Sequence, residues 1–334
     1  MLPGVLITPP LMPISPSVRA IRDVLELQSA AERFFEALAR RVSDPATRAL
    51  LEAFTRDEHQ LVVDVRQAAD AWVKGPLPEP TGRAVDVKTA SAWGLVPEPT
   101  FDHVLAIAVD CLRRAASHHE QAAATVAGPV SVLLREMAAS QGARASKLEV
   151  SLDREVRARF AGHAPEDVLN ETLDAVVRAG DRFRLLARRC PKRRTASFLA
   201  GMVEVCSLHA ASVRSLVAQA PPLREADRAH EDLLAPTLPI FDGGIDALDF
   251  QAAMRMAMHA EQRASLVHGM QARAFSGQIR EGLERVAEAE SGYASTISTV
   301  LDRVVEHEED RKRSGIQVSP EVPGRKRTLR LVVG

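Results

Sequence analysis

At 334 residues the chain is long enough for two domains with full cores, and 46% hydrophobic with 26% charged residues is the balance of a folded, water-soluble protein. Only 4% aromatic residues, with Ala, Leu, Arg and Glu abundant, favours helices over sheets and predicts an all-α fold. A formal charge of -1 excludes a global pull toward nucleic acid or anionic membranes, and Cys111, Cys190 and Cys206, widely spaced and without a CxxC pair, argue for reduced thiols rather than a disulfide framework or zinc site.

Residues 1–17 read as an extended N-terminal arm, broken at Pro3, Pro9, Pro10, Pro13 and Pro16, with no basic residue before Arg19 to suggest a signal peptide. No segment approaches the roughly 20 uncharged apolar residues of a spanning helix, so a cytoplasmic location is expected. Pro and Gly punctuation then divides the chain into four helical hairpins. The first, 18–73, turns at Ser43-Asp44-Pro45, and a Pro-rich linker covers 74–99. The second, 101–160, breaks at Gly128-Pro129, and the third, 165–218, breaks at Cys190-Pro191. A second linker spans 220–244, and the fourth hairpin, 245–311, turns near Phe275-Ser276-Gly277. A single hairpin cannot bury both its seams, so the expectation is two four-helix bundles in tandem, 18–162 and 163–312, followed by a basic flexible tail, 313–334.

Polar residues interrupt the apolar seams near their middles. Glu58 follows Leu51 and Phe54 and precedes Leu61 and Val65, while Glu290 sits within Ile279, Leu283, Val286, Tyr293, Ile297 and Val300. Glu261 and His268 continue the stripe of Phe250, Met254 and Met258, and His209 that of Phe198, Met202 and Val205. A carboxylate on a buried face costs several kcal/mol unless a metal, a base or hydrogen-bond donors compensate it.

The segment QSAAERFFEALARRVSDPATRALLEAFTRDEHQL, Gln28 to Leu61, resembles the helical hairpin of rubrerythrin-like members of the ferritin superfamily. In that family a metal-binding Glu precedes a Tyr by seven residues on the first helix, and Glu-x-x-His follows on the second. Here Gln28 falls on the first Glu, Phe35 on the Tyr, Glu58 on the second Glu and Leu61 on the His. In the fourth hairpin Glu261 and Glu290 keep both carboxylates, with His268 at the Tyr and Tyr293 at the His. The third hairpin places His209 on the His, Cys206 on the Glu and Val177 near the first Glu, whereas the second offers Leu112 and Gln141. The resemblance implies two ferritin-like bundles with mostly degenerate metal ligands.

What remains divides into two functional readings. The leading one is a non-enzymatic scaffold or partner-binding protein without a cofactor, in which Glu261, Glu290, Tyr293, His209 and His268 satisfy one another and Glu58 accepts from Gln28, His119 or Gln141. The alternative is a metal-dependent oxidoreductase or metal-handling protein, with one iron or manganese ion held by Glu261, Glu290 and His209 beside Tyr293, Cys206 and His268. His118-His119-Glu120 cannot present all three side chains to one ion, since neighbours on a helix point about 100 degrees apart. The body's one dense basic spot, Arg188, Arg189, Lys192, Arg193 and Arg194, brackets Pro191 and fits cations at a helix C-terminus. A protein partner or homo-oligomer is expected, with no nucleic acid and no membrane. The tail, with Arg325, Lys326, Arg327 and Arg330 before Leu331, Val332 and Val333, is a candidate docking segment, and it resembles the tails by which ferritin-like cargo enters encapsulin-type shells.

Overall fold

Proline placement determines where half of the helices begin. Pro16, Pro45, Pro129 and Pro165 each occupy a first helical turn, where a missing N–H costs nothing and the fixed φ is already helical. The computed structural model describes residues 15–73, 77, 91–93, 98–219, 237–241 and 243–313. These form eight α-helices and, among the described residues, no strand. In chain order they are α1 (Pro16–Ala39), α2 (Pro45–Trp72), α3 (Phe101–Thr125), α4 (Pro129–Phe160), α5 (Pro165–Arg189), α6 (Arg193–Val217), α7 (Phe250–Ala274) and α8 (Gly277–Arg313). Short 3-10 turns lie at Ser91–Trp93, in the first linker, and at Ile245–Ala247, just before α7.

The turns use the chemistry read from the sequence. Asp44 caps α2 by accepting from the Thr47 N–H at 2.7 Å. Gly128 precedes Pro129 with φ of 70° and ψ of -152°, a conformation that only glycine adopts without strain. Gly277 opens α8 with φ of 63°. The expected arm is shortened at its end, because Ser15 caps α1 and Pro16 already belongs to the helix; residues 1–14, and the docking tail 314–334, lie outside the described residues.

Four hairpins pack as two tandem four-helix bundles: α1 and α2 lie against α3 and α4, and α6 lies against both helices of the last hairpin. The bundles share apolar surface. One core runs from Phe35, Phe54, Leu105 and Val156 through Val168 and Ala175 to Val267 and Met270, carried by contacts of α3 and α4 with α7. Each fully buried Leu, Ile or Phe contributes about 1.5–3 kcal/mol, so this shared layer couples the halves strongly. Arg273 of α7 adds ion pairs to Asp153 at 2.5 Å and Glu149 at 3.0 Å of α4.

Arg263 of α7 ties both linkers to this junction. Its side chain is buried and donates to the Ala92 carbonyl, in the first linker, and to the Leu238 carbonyl at 2.6 Å, in the second. Beside Ala92, Trp93 is also buried, with its ring 5.2 Å from that of His103.

Two expectations are corrected. Val177 points outward at 40% exposure, and α5 buries Val176, Gly180 and Phe183 instead. On α8 the buried stripe passes through Ala294, Ile297 and Leu301, leaving Val300 exposed. The α6 helix is long and apolar enough, by length and composition, to cross a membrane, with mean hydropathy 1.4 over an 18-residue window of which 33% is buried.

Candidate functional site

Three helices deliver the polar centre of the second bundle. Glu261 and His268 lie seven residues apart on α7, two turns along one buried face. Glu290 comes from α8, and His209 and Cys206 from α6. On α5 the small residue there is Gly180, where a Cβ would stand 3.2 Å from that of Cys206, so the helix backbone closes tightly over this layer. His209 and Glu261 are 5% exposed, Glu290 1% and His268 0%.

The three residues singled out as metal ligands do come together. His209 Nδ1 is 3.8 Å from Glu261 Oε2 and 3.8 Å from Glu290 Oε1. The other oxygen of Glu290, Oε2, lies 2.8 Å from His268 Nδ1. Each Glu290 oxygen thus faces a different imidazole. The Tyr293 ring packs edge-on to His209 at 5.4 Å and is only partly buried. Glu261 Oε2, His209 Nε2 and His268 Nε2 are buried without a hydrogen-bond partner. Leaving such atoms unsatisfied costs roughly 1–3 kcal/mol each.

Burial dominates the electrostatics of this centre. Burial, and secondarily the Glu290 carboxylate, holds the Glu261 carboxyl well above its ordinary range. Burial lowers the His209 imidazole, against an opposing pull from Glu290, and His268 adds to the lowering. Burial followed by the two carboxylates raises Cys206, which is therefore a thiol and no nucleophile at neutral pH.

No protein-family model, curated protein or solved structure matches the chain.

Donor chemistry and spacing bear on whether an ion fits. Two donors about 2.1 Å from a shared ion stand about 4.2 Å apart at most, and roughly 3.0–3.4 Å at octahedral or tetrahedral angles. The 3.8 Å separations fall inside that limit but on its wide side. Among the described residues no group of three or more His, Cys, Asp or Glu side chains is placed to hold a metal ion as it stands. The residue types and the bare Glu261 oxygen suit one ion once the side chains draw together around it.

The first bundle has a polar centre of different character. Gln28, Glu58, His119 and Gln141, one from each helix, are each 1% exposed or less. Gln28 Nε2 and His119 Nε2 pair at 3.3 Å, while both amide atoms of Gln141 lack a partner. His118 and Glu120 are left outside this layer, as adjacent positions on a helix require. Asp57 and His59 likewise point outward, Asp57 to Arg144 at 2.6 Å and His59 to Glu32 at 2.9 Å.

Two arrangements had no signal in the sequence. The Thr172 hydroxyl lies 3.1 Å from Gln271 Oε1, adding a polar layer one turn beyond His268. The Arg263 clamp is the other, because its partners are linker carbonyls that no local pattern announces.

Proposed function

We propose that this is a metal-handling protein on a diverged ferritin-like fold, in which only the second bundle retains a site and the first serves as scaffold. Glu261, Glu290 and His209 hold a single iron or manganese ion, and His268 orients Glu290. The observation that carries the reading is the position of His209 Nδ1, 3.8 Å from one oxygen of each carboxylate, in an interior where Glu261 Oε2 has no other partner. An all-carboxylate and imidazole set matches the preference of these ions for oxygen and nitrogen donors. Bound iron or manganese would supply Lewis acidity and a one-electron couple.

The chain's own groups define how such a site behaves. An ion held by Glu261 Oε2 would compete with the proton that burial favours on that carboxyl, so loading would strengthen as pH rises. His268 Nδ1 leaves Glu290 Oε1 turned toward His209 by occupying Oε2. Tyr293 is partly exposed and packs edge-on to His209.

The reading in which the whole chain is a metal-free scaffold is favoured by one observation, the Gln28–His119 pair, which occupies the first bundle's centre with amide and imidazole instead of a carboxylate pair. The two are separated by titrating chelator-treated protein with Mn(II) and following free Mn(II) by electron paramagnetic resonance. Metal handling predicts saturation near one ion per chain, abolished in Glu261→Gln/Glu290→Gln and unchanged in Glu58→Gln. A titration identical to buffer leaves the scaffold.

A further inference from the structure

The end of the second bundle formed by the α5–α6 turn carries an unbalanced charge. Arg188, Arg189, Lys192 and Arg193 are all exposed, and none of their side chains has an ion-pair or hydrogen-bond partner among the described residues. Nearby cations are already engaged. Arg184 pairs with Asp181, Arg182 donates to the Pro239 carbonyl at 3.1 Å, and Arg194 lies 3.8 Å above the Phe250 ring.

Helix electrostatics accounts for only half of this cluster. Arg188 and Arg189 close α5, where cations are favoured. Lys192 is the N-cap of α6 and Arg193 its first residue, where the dipole disfavours cations and Lys192 provides no acceptor to the free N–H groups. Positive charge there runs against local stability and calls for an anion outside the chain.

The neighbouring surface indicates which kind of anion. From the basic end, at Arg184 and Arg188, a groove of about 420 Å³ runs between α5 and α6 along Ala187, Ala196, Ala200 and Val203 to Glu204 and Ser207. Exposed on the same helices are Leu185 at 48% and Leu208 at 53%. The α6 helix combines membrane-like hydropathy with only 33% burial of its most apolar window. A nucleic acid would instead require a basic stripe and stacking aromatics, and the aromatic rings at this end, Phe198 and Phe250, are spent on each other at 5.7 Å. A compact cationic point beside weakly polar helix surface matches the headgroup region of an anionic bilayer.

We propose that the α5–α6 end of the second bundle docks on anionic lipid surfaces, with Arg188, Arg189, Lys192 and Arg193 engaging headgroups and the outer side of α6 resting at the headgroup boundary. The overall charge of -1 does not oppose this, because the patch acts within a Debye length of about 8–10 Å. Docking is independent of whether the second bundle holds a metal.

The test is sedimentation of the full chain with vesicles of phosphatidylcholine, with and without about 30% phosphatidylglycerol, at physiological salt. Binding is expected only to the anionic vesicles. Each cation near such a surface contributes about fivefold, so Arg188→Ala/Arg193→Ala weakens partitioning about 25-fold, while Arg40→Ala/Arg56→Ala on the first bundle changes nothing. Circular dichroism of each variant separates lost docking from lost fold. Equal binding to neutral vesicles overturns the proposal, as does undiminished binding by the double variant. Absence of vesicle binding also overturns it, whether the same cations then prove to retain a duplex oligonucleotide or to drive self-association in light scattering.

Discussion

Glu261→Gln is the substitution whose effect follows most directly from the buried centre. In the metal-free fold the Glu261 carboxyl retains its proton well above pH 4.5, because burial and then the Glu290 carboxylate oppose its ionisation. In the unfolded chain the same group ionises near pH 4.3. Between these two values the folded state binds the extra proton, so stability falls as pH rises, by up to about 1.4 kcal/mol per pH unit from this group alone. Gln cannot ionise and removes the slope. Its amide replaces a carboxyl whose Oε2 already lacks a hydrogen-bond partner, so any constant offset is on the order of 1 kcal/mol. Urea unfolding by circular dichroism, with chelator present, at several values between pH 5 and pH 8 should show the variant gaining on the wild type as pH increases. The reasoning is refuted if the two stability curves run parallel over that range, whatever their separation.

Other substitutions probe the junction, the acid limb and a turn. Arg263→Met deprives the carbonyls of Ala92 and Leu238 of their donor and should destabilise by about 2–4 kcal/mol, read as a lower thermal midpoint. Burial depresses the His103 imidazole to about 4, with Arg159 adding to it and Asp102 opposing, so stability is full above pH 6.5 and falls as pH drops toward 4. His103→Gln should flatten that acid limb by on the order of 2–3 kcal/mol in denaturant titrations at pH 6.5 and pH 4, and an unchanged limb would place the loss elsewhere. Gly128→Ala meets no neighbour within 4 Å, yet its φ of 70° with ψ of -152° should cost about 1–3 kcal/mol, visible in the same thermal scan.

The hairpins were legible because their turns are local chemistry. Asp44-Pro45 and Gly128-Pro129 start α2 and α4, and Cys190-Pro191 closes α5 just before α6 opens at Arg193. The polar centres were legible for a related reason: a Glu or His at three- or four-residue spacing within an apolar stripe must face inward, as Glu58, His209, Glu261, His268 and Glu290 all do. Register within a weakly patterned helix was not legible. Around Val176 and Val177 the two adjacent valines offer either to the core, and packing against Cys206 at Gly180 selects the first. Contacts between distant segments were also hidden. The division of Glu290 between His209 and His268, the Thr172–Gln271 pair and the Arg263 clamp join residues that only tertiary packing brings together.

The central claim is that Glu261, Glu290 and His209 hold a metal ion. Its most direct test is elemental analysis of full-length protein made without a His tag in iron- and manganese-supplemented medium, beside the Glu261→Gln/Glu290→Gln variant. The account predicts about one iron or manganese per wild-type chain and none in the folded variant. Equal metal in both proteins, or none in either, would contradict it.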